Sequence, residues 1–130
     1  MRVGEVKNGS FNITANDEET VVQSLFFVGP VSVSFKVVDG FKDYAGGVYT
    51  HEDCGTGPMD VNHAVLATGF GYDHESKMNY YVVKNSWGDK WGDKGYFKIQ
   101  AMKNMCAIAQ CNSFPDIGQF EKFGTRLEEE

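Results

Sequence analysis

Apolar residues fall in short strand-like runs separated by polar and glycine-rich turns along this chain, and one stretch near its start is spaced instead for a helix. Phe11 and Ile13 share one face of a short strand at the end of an extended lead-in. A helix is predicted next, over about residues 17 to 28. Asn16 is placed to cap it, Asp17, Glu18 and Glu19 occupy its electropositive first turn, and Val21, Val22, Leu25 and Phe26 form an apolar stripe. Gly29-Pro30 ends it. Val31, Val33 and Phe35 alternate with Ser32, Ser34 and Lys36 as a half-buried strand does. Gly40 opens a turn or short helix running to Gly46-Gly47, and Val48-Tyr49 resumes a strand.

His51 to Asp60, with two glycines and Pro58, reads as an irregular loop delivering the chain to His63. Ala64 to Tyr72 and Asn79 to Lys84 form a hairpin. Asn85 to Tyr96 is a tight, packed loop of glycines and two indoles, and Phe97 to Ile99 continues as a strand. Met105 to Pro115 reads as a short helical turn and a last strand, and the polar stretch Gln119 to Glu130 as a disordered acidic tail. Neither an internal repeat nor an internal domain boundary is evident. The expected class is α+β, dominated by a twisted antiparallel sheet or open barrel with one packed helix.

Composition supports that class. Fifteen glycines and 18 aromatics in 130 residues favour many short strands over a helical bundle. A net charge of −6 leaves no basic stripe for nucleic acid or an anionic membrane surface. No apolar run approaches the ~20 residues of a spanning helix, and Met1-Arg2-Val3-Gly4-Glu5 does not read as a signal peptide. Small molecules, peptides and proteins remain as partners. Three cysteines allow at most one internal bridge. With the sequons at Asn8 and Asn12, candidate glycosylation sites, they point to the secretory route.

His63 is the residue the pattern singles out for chemistry, because it ends an irregular loop and begins an apolar strand at the rim of a sheet. Asn85 closes the other strand of the hairpin, and antiparallel pairing returns it toward His63. A carboxamide oxygen accepting one imidazole N–H fixes which ring nitrogen faces outward. The plainer alternative is a satisfied rim histidine and a strand-capping asparagine.

The company these residues keep resembles the C-terminal half of a papain-like cysteine peptidase. The histidine motif stands as Asn62-His63-Ala64-Val65-Leu66-Ala67 and the asparagine motif as Lys84-Asn85-Ser86-Trp87-Gly88, continuing through Trp91-Gly92 and Gly95-Tyr96-Phe97. The cathepsin H and aleurain branch is similar nearly letter for letter at Gly29-Pro30-Val31-Ser32-Val33, Pro58-Met59-Asp60-Val61-Asn62-His63 and Lys103-Asn104-Met105-Cys106. The likeness covers about residues 3 to 117, leaving 118–130 as a tail without counterpart. Thr68 and Phe70 stand where the family usually has Val and Tyr.

The resemblance implies that His63 is the general base, that Asn85 orients it, and that Trp87 shields their bond from water. It also implies that the nucleophile lies outside this chain: it is expected roughly 130–150 residues before the histidine, and only 62 precede His63 here. None of the three cysteines sits in its Cys-Gly-Ser-Cys-Trp context. The chain alone is therefore expected to be inactive and to need an N-terminal helical half carrying the reactive cysteine.

By the same resemblance Cys54 and Cys106 form the disulfide of this domain, and Cys111 matches the cysteine that holds a short propeptide remnant, the mini-chain. Ser34, Val61, Asn62, Ala64 and Cys111 correspond to the substrate pocket, an apolar second subsite. Peptide or protein substrates and cystatin-like inhibitors are the implied partners. No cofactor is implied, and the three His and three Cys are not read as a zinc site. His51 and His74 match no catalytic position. The parent enzyme would be lysosomal, vacuolar or secreted. The competing expectation is a catalytically dead truncated relative serving as a binding or structural module.

Overall fold

The computed structural model describes residues 9–116; Asn8 and the tail beyond Ile117 lie outside the described residues. Seven strands form one sheet: β1 (Ser10–Ile13), β2 (Val31–Phe35), β3 (Val48–Tyr49), β4 (His63–Asp73), β5 (Met78–Lys84), β6 (Tyr96–Gln100) and β7 (Asn112–Pro115). Their order is β1-β7-β2-β4-β5-β6-β3, so β1 and β3 are open edges and the sheet does not close into a barrel. All pairs are antiparallel except β3 with β6.

Helix α1 (Glu18–Phe27) packs on β4 and β2. Its cap is Asp17 rather than Asn16: the Asp17 carboxylate accepts the Thr20 amide at 3.1 Å and the Thr20 hydroxyl at 2.6 Å. Asn16 sits instead at φ 66, with its amide donating to the Ala109 carbonyl and its side chain held by Gln110. A short polar side chain tolerates that left-handed turn, which leaves the next residue free to cap.

The buried stripe of α1 is also rotated from expectation. Glu18, Val21 and Ser24 are buried, while Phe26 and Phe27 are 66% and 69% exposed. Val22 and Leu25 pack partly against the core. The face is therefore set by Val21 and its neighbours three residues away on either side, two of them polar.

The core follows the strand alternation. Val31, Val33 and Phe35 of β2, Val65 and Ala67 of β4, Tyr81 and Val83 of β5, and Phe97 and Ile99 of β6 all turn inward. A bulge between Ala67 and Gly69 shifts the β4–β5 register without disturbing the end that carries His63. Phe41, in the 3-10 turn Phe41–Asp43, is fully buried and lies 4.9 to 5.7 Å from the rings of Phe35, Tyr49, Trp87, Trp91 and Phe97. This aromatic cluster supports the loop after β5 from beneath.

Candidate active site

His63 is the first residue of β4 and pairs with Phe35 of β2. Asn85 directly follows β5, whose Lys84 pairs with Leu66. One further step of that register sets Asn85 opposite Val65, two residues from His63 and on the same face of the sheet. The Asn85 amide leaves the ladder to donate to the Gly95 carbonyl at 3.0 Å, so the glycine-rich loop fixes its backbone.

The two side chains meet. His63 Nε2 lies 2.9 Å from Asn85 Oδ1, and the Ser86 amide donates to the same Oδ1 at 2.7 Å. A backbone N–H can only donate, so the atom facing it must be the carboxamide oxygen. An oxygen can only accept, so Nε2 must carry the hydrogen. Nδ1 is left as the basic nitrogen of the neutral ring.

Rings frame the imidazole. Trp87 stacks on it with centroids 5.3 Å apart and planes 28° from parallel, and Phe35 meets it edge-on at 5.9 Å. Trp87 is itself held edge-on by Phe41 and Trp91, at 5.7 and 5.1 Å. Asn85 is 5% exposed. Its Nδ2 is buried and has no hydrogen-bond partner among the described residues. Among the described residues, open grooves border Trp87 on one side and Asn85 on the other. One, about 590 Å³, is bounded by Trp87 and residues Val37, Val38, Asp39, Gly40 and Lys42. The other, about 380 Å³, includes Ser32, Ala64, Leu66, Lys84 and Asn85 in its wall.

The remaining residues singled out from the sequence fall into distinct places. Ser34 and Ala64 are direct cross-strand partners. Val33 pairs with Asn112, so one more step of the β2–β7 register sets Cys111 opposite Ser34. Cys111 is free and exposed, and Cys54 is bridged to Cys106. Val61 is half-buried in the segment leading to His63. Asn62 is exposed, yet its carboxamide is committed to the Val37 peptide, accepting the amide at 2.7 Å and donating to the carbonyl at 3.1 Å. Asn12 is exposed on the edge strand β1. His51 Nδ1 accepts the Asp53 amide, and exposed His74 rests against Tyr72.

Glu18 does more than the sequence suggests for it, which is only a place in the electropositive first turn of the helix. It is buried, and its carboxylate accepts the Tyr81 hydroxyl at 2.7 Å and the amides of Met102 and Asn104 at 2.8 Å each. The one signal in the sequence is its spacing: three residues before Val21, it continues the inward-facing row. The Val37–Lys42 groove wall has no such signal, because it is built by a turn whose direction the residue pattern does not encode.

The model of the papain family cysteine proteases matches residues 3–116, and the chain belongs to that family. It is 53% identical over 107 residues to pro-cathepsin H of Medicago truncatula and 50% identical over 113 residues to the thiol protease aleurain of Arabidopsis thaliana. Those alignments cover 82% and 87% of this chain but only 30% and 31% of the relatives. Among solved structures, the digestive procathepsin L2 proteinase of Tenebrio molitor larval midgut superposes with a TM-score of 0.80 at 38% identity, covering 88% of this chain and 35% of that one. The matching portion is the C-terminal His/Asn half of cathepsin H and aleurain-like proteins. The chain therefore spans about a third of its relatives.

Proposed function

We propose that this chain is the base-carrying half of a cathepsin H-like thiol peptidase, which hydrolyses peptide bonds only when a second, helical half supplies the nucleophilic cysteine. The observation that carries the proposal is the bond between His63 Nε2 and Asn85 Oδ1, since it leaves Nδ1 as the free base. Nδ1 takes the proton of the incoming thiol, giving a thiolate–imidazolium pair. Thiolate attack on the peptide carbonyl forms an acyl-enzyme, and the proton on Nδ1 passes to the leaving amine. Nδ1 then takes a proton from water as that water attacks the acyl group, and the thiolate–imidazolium pair is restored. Asn85 suits this chemistry because it is neutral: sulfur already balances the imidazolium charge, whereas an oxygen nucleophile calls for a carboxylate orienter.

The cysteines of this chain support an external nucleophile: two are bridged to each other, and the third, Cys111, is free but directly precedes β7, two strands away from the β4 that carries His63. Ser34, Ala64 and Cys111 lie in one row across β4, β2 and β7, and that row with Val61 forms the apolar subsite for a substrate side chain. Asn62 acts there through the backbone it holds. Cys111, free and exposed at the end of that row, is the anchor for a mini-chain peptide, and its occupancy would favour aminopeptidase action. Cystatin-like inhibitors would block the same cleft. Lysosomal or vacuolar residence of the parent enzyme follows the cathepsin H and aleurain relatives, and Asn12 is its accessible glycosylation site.

Mixing the chain with the corresponding N-terminal half tests the proposal. Hydrolysis of a peptide substrate should appear only in the mixture, be stopped by a thiol-directed epoxide, and be lost with His63→Ala. Complex formation without any hydrolysis would refute it.

A further inference from the structure

His63 enters β4 from a long segment without strand pairing, residues 50–62, so something outside that segment must fix where the imidazole begins. Three of its anchors converge on three consecutive residues. The Asn104 side chain donates to the Thr56 carbonyl at 2.8 Å, the His51 amide lies 3.4 Å from the Met105 sulfur, and Cys54 is bridged to Cys106. The Cys106 carbonyl also accepts the Lys36 amide at 2.8 Å, directly beside the Phe35 that pairs with His63.

This anchoring segment is not a relaxed piece of chain. Met102, Asn104, Cys106 and Ala107 all adopt positive φ, at 67, 49, 53 and 65°. Side-chain-bearing residues resist that region, and four within six positions do not hold it without external restraint. Beside the Cys54–Cys106 bridge and the bond from the Ala109 amide to Asn104 Oδ1, part of the restraint comes from α1. Glu18 accepts both the Met102 and the Asn104 amides, and Tyr81 of the central strand β5 fixes the carboxylate in turn.

We propose that Glu18 is a positioning residue for His63, acting through the 102–106 segment on the loop that delivers the imidazole. The proposal rests on the reading of His63 as the base only for its functional meaning. Its path is Glu18 to the Asn104 amide, the Asn104 carboxamide to Thr56, and the residue 56–62 stretch to His63.

The test uses the 130-residue chain, with Glu18→Gln and Asn104→Gly. Gln presents an NH2 where the carboxylate accepts, and Gly keeps the positive φ of position 104 while removing the carboxamide, which donates to Thr56 and accepts the Ala109 amide. Amide exchange and the His63 ring nitrogens are followed by NMR, with circular dichroism as the control for folding. Glu18→Gln should speed exchange about tenfold at Met102, Asn104 and Asn62, and should shift or broaden the His63 Nε2–H resonance. Asn104→Gly should reproduce the changes at Asn62 and His63. Faster exchange confined to Met102 and Asn104, with His63 and Asn62 as in the parent, would overturn the proposal. If Glu18→Gln does not fold, Asn104→Gly decides by the same criterion. These readouts need neither thiol nor substrate, so they decide the positioning role even if the chain proves to have no part in peptide hydrolysis.

Discussion

His63 hands its Nε2 hydrogen to an oxygen of Asn85 that the Ser86 amide pins from the other side, at 2.9 and 2.7 Å. The choice of tautomer is thus made by a backbone group two residues along the chain from the end of β5, before any substrate or thiol is present. A general base is useful only when the right nitrogen is free, and here the loop after β5 settles which one that is.

Asn85→Ala should release that choice. Ring nitrogen shifts of His63 should change from one tautomer to a mixture, while the fold persists. In the two-half complex kcat should fall about tenfold or more, part of the hundred- to ten-thousandfold that a positioned base contributes. An unchanged tautomer would show that Asn85 does not set it.

The Cys54–Cys106 bridge closes a span of 52 residues. On the chain-entropy model its loss costs about 4 kcal/mol. Urea unfolding of Cys54→Ser against the parent should show a loss of that order. A shift below about 1 kcal/mol would mean that other contacts already constrain the unfolded chain.

Phe41 has five aromatic neighbours and no exposure. Phe41→Ala should cost about 3–5 kcal/mol in denaturant unfolding, the range for emptying a buried aromatic site. Trp87 fluorescence should report a looser indole, because Phe41 supports it from below.

Much of this was legible in the residue pattern. Strand β2 was readable because Val31, Val33 and Phe35 alternate with polar residues, the β4–β5 hairpin because two runs rich in Tyr, Val and Phe flank a polar turn, and His63 and Asn85 because that hairpin places their ends together. The cap of α1 was not legible, since Asn16 and Asp17 are equally good capping side chains and only the turn toward Ala109 separates them. Phe26 misled for a related reason: the helix turns its Glu18–Val21–Ser24 row inward, a rotation fixed by the bonds of Glu18 to Tyr81, Met102 and Asn104 across the fold. Long-range polar contacts of this kind leave no local periodicity.

Alkaline pH should expose another of those contacts. Burial raises the pKa of Tyr81, Tyr49 and Tyr44 above the usual phenol value, and the Glu18 carboxylate raises Tyr81 further. The unfolded phenols ionise near pH 10, while the folded ones stay neutral to higher pH. Their contribution is complete below that pH and is lost as pH rises above it. Stability should therefore decline from about pH 10 upward, and Tyr81→Phe should flatten the decline. An equally steep fall in Tyr81→Phe, followed by urea midpoints, would exclude Tyr81 as a main source.

The proposed role of this chain is to bring a base to a sulfur carried elsewhere. Its most direct test is the pH dependence of alkylation of the reactive cysteine in the N-terminal half, measured with and without this chain. Adding the chain should move the alkylation profile to markedly lower pH, as a thiolate–imidazolium pair requires, and His63→Ala should abolish the shift. A complex that forms with its profile unmoved, or moved equally by His63→Ala, would contradict it.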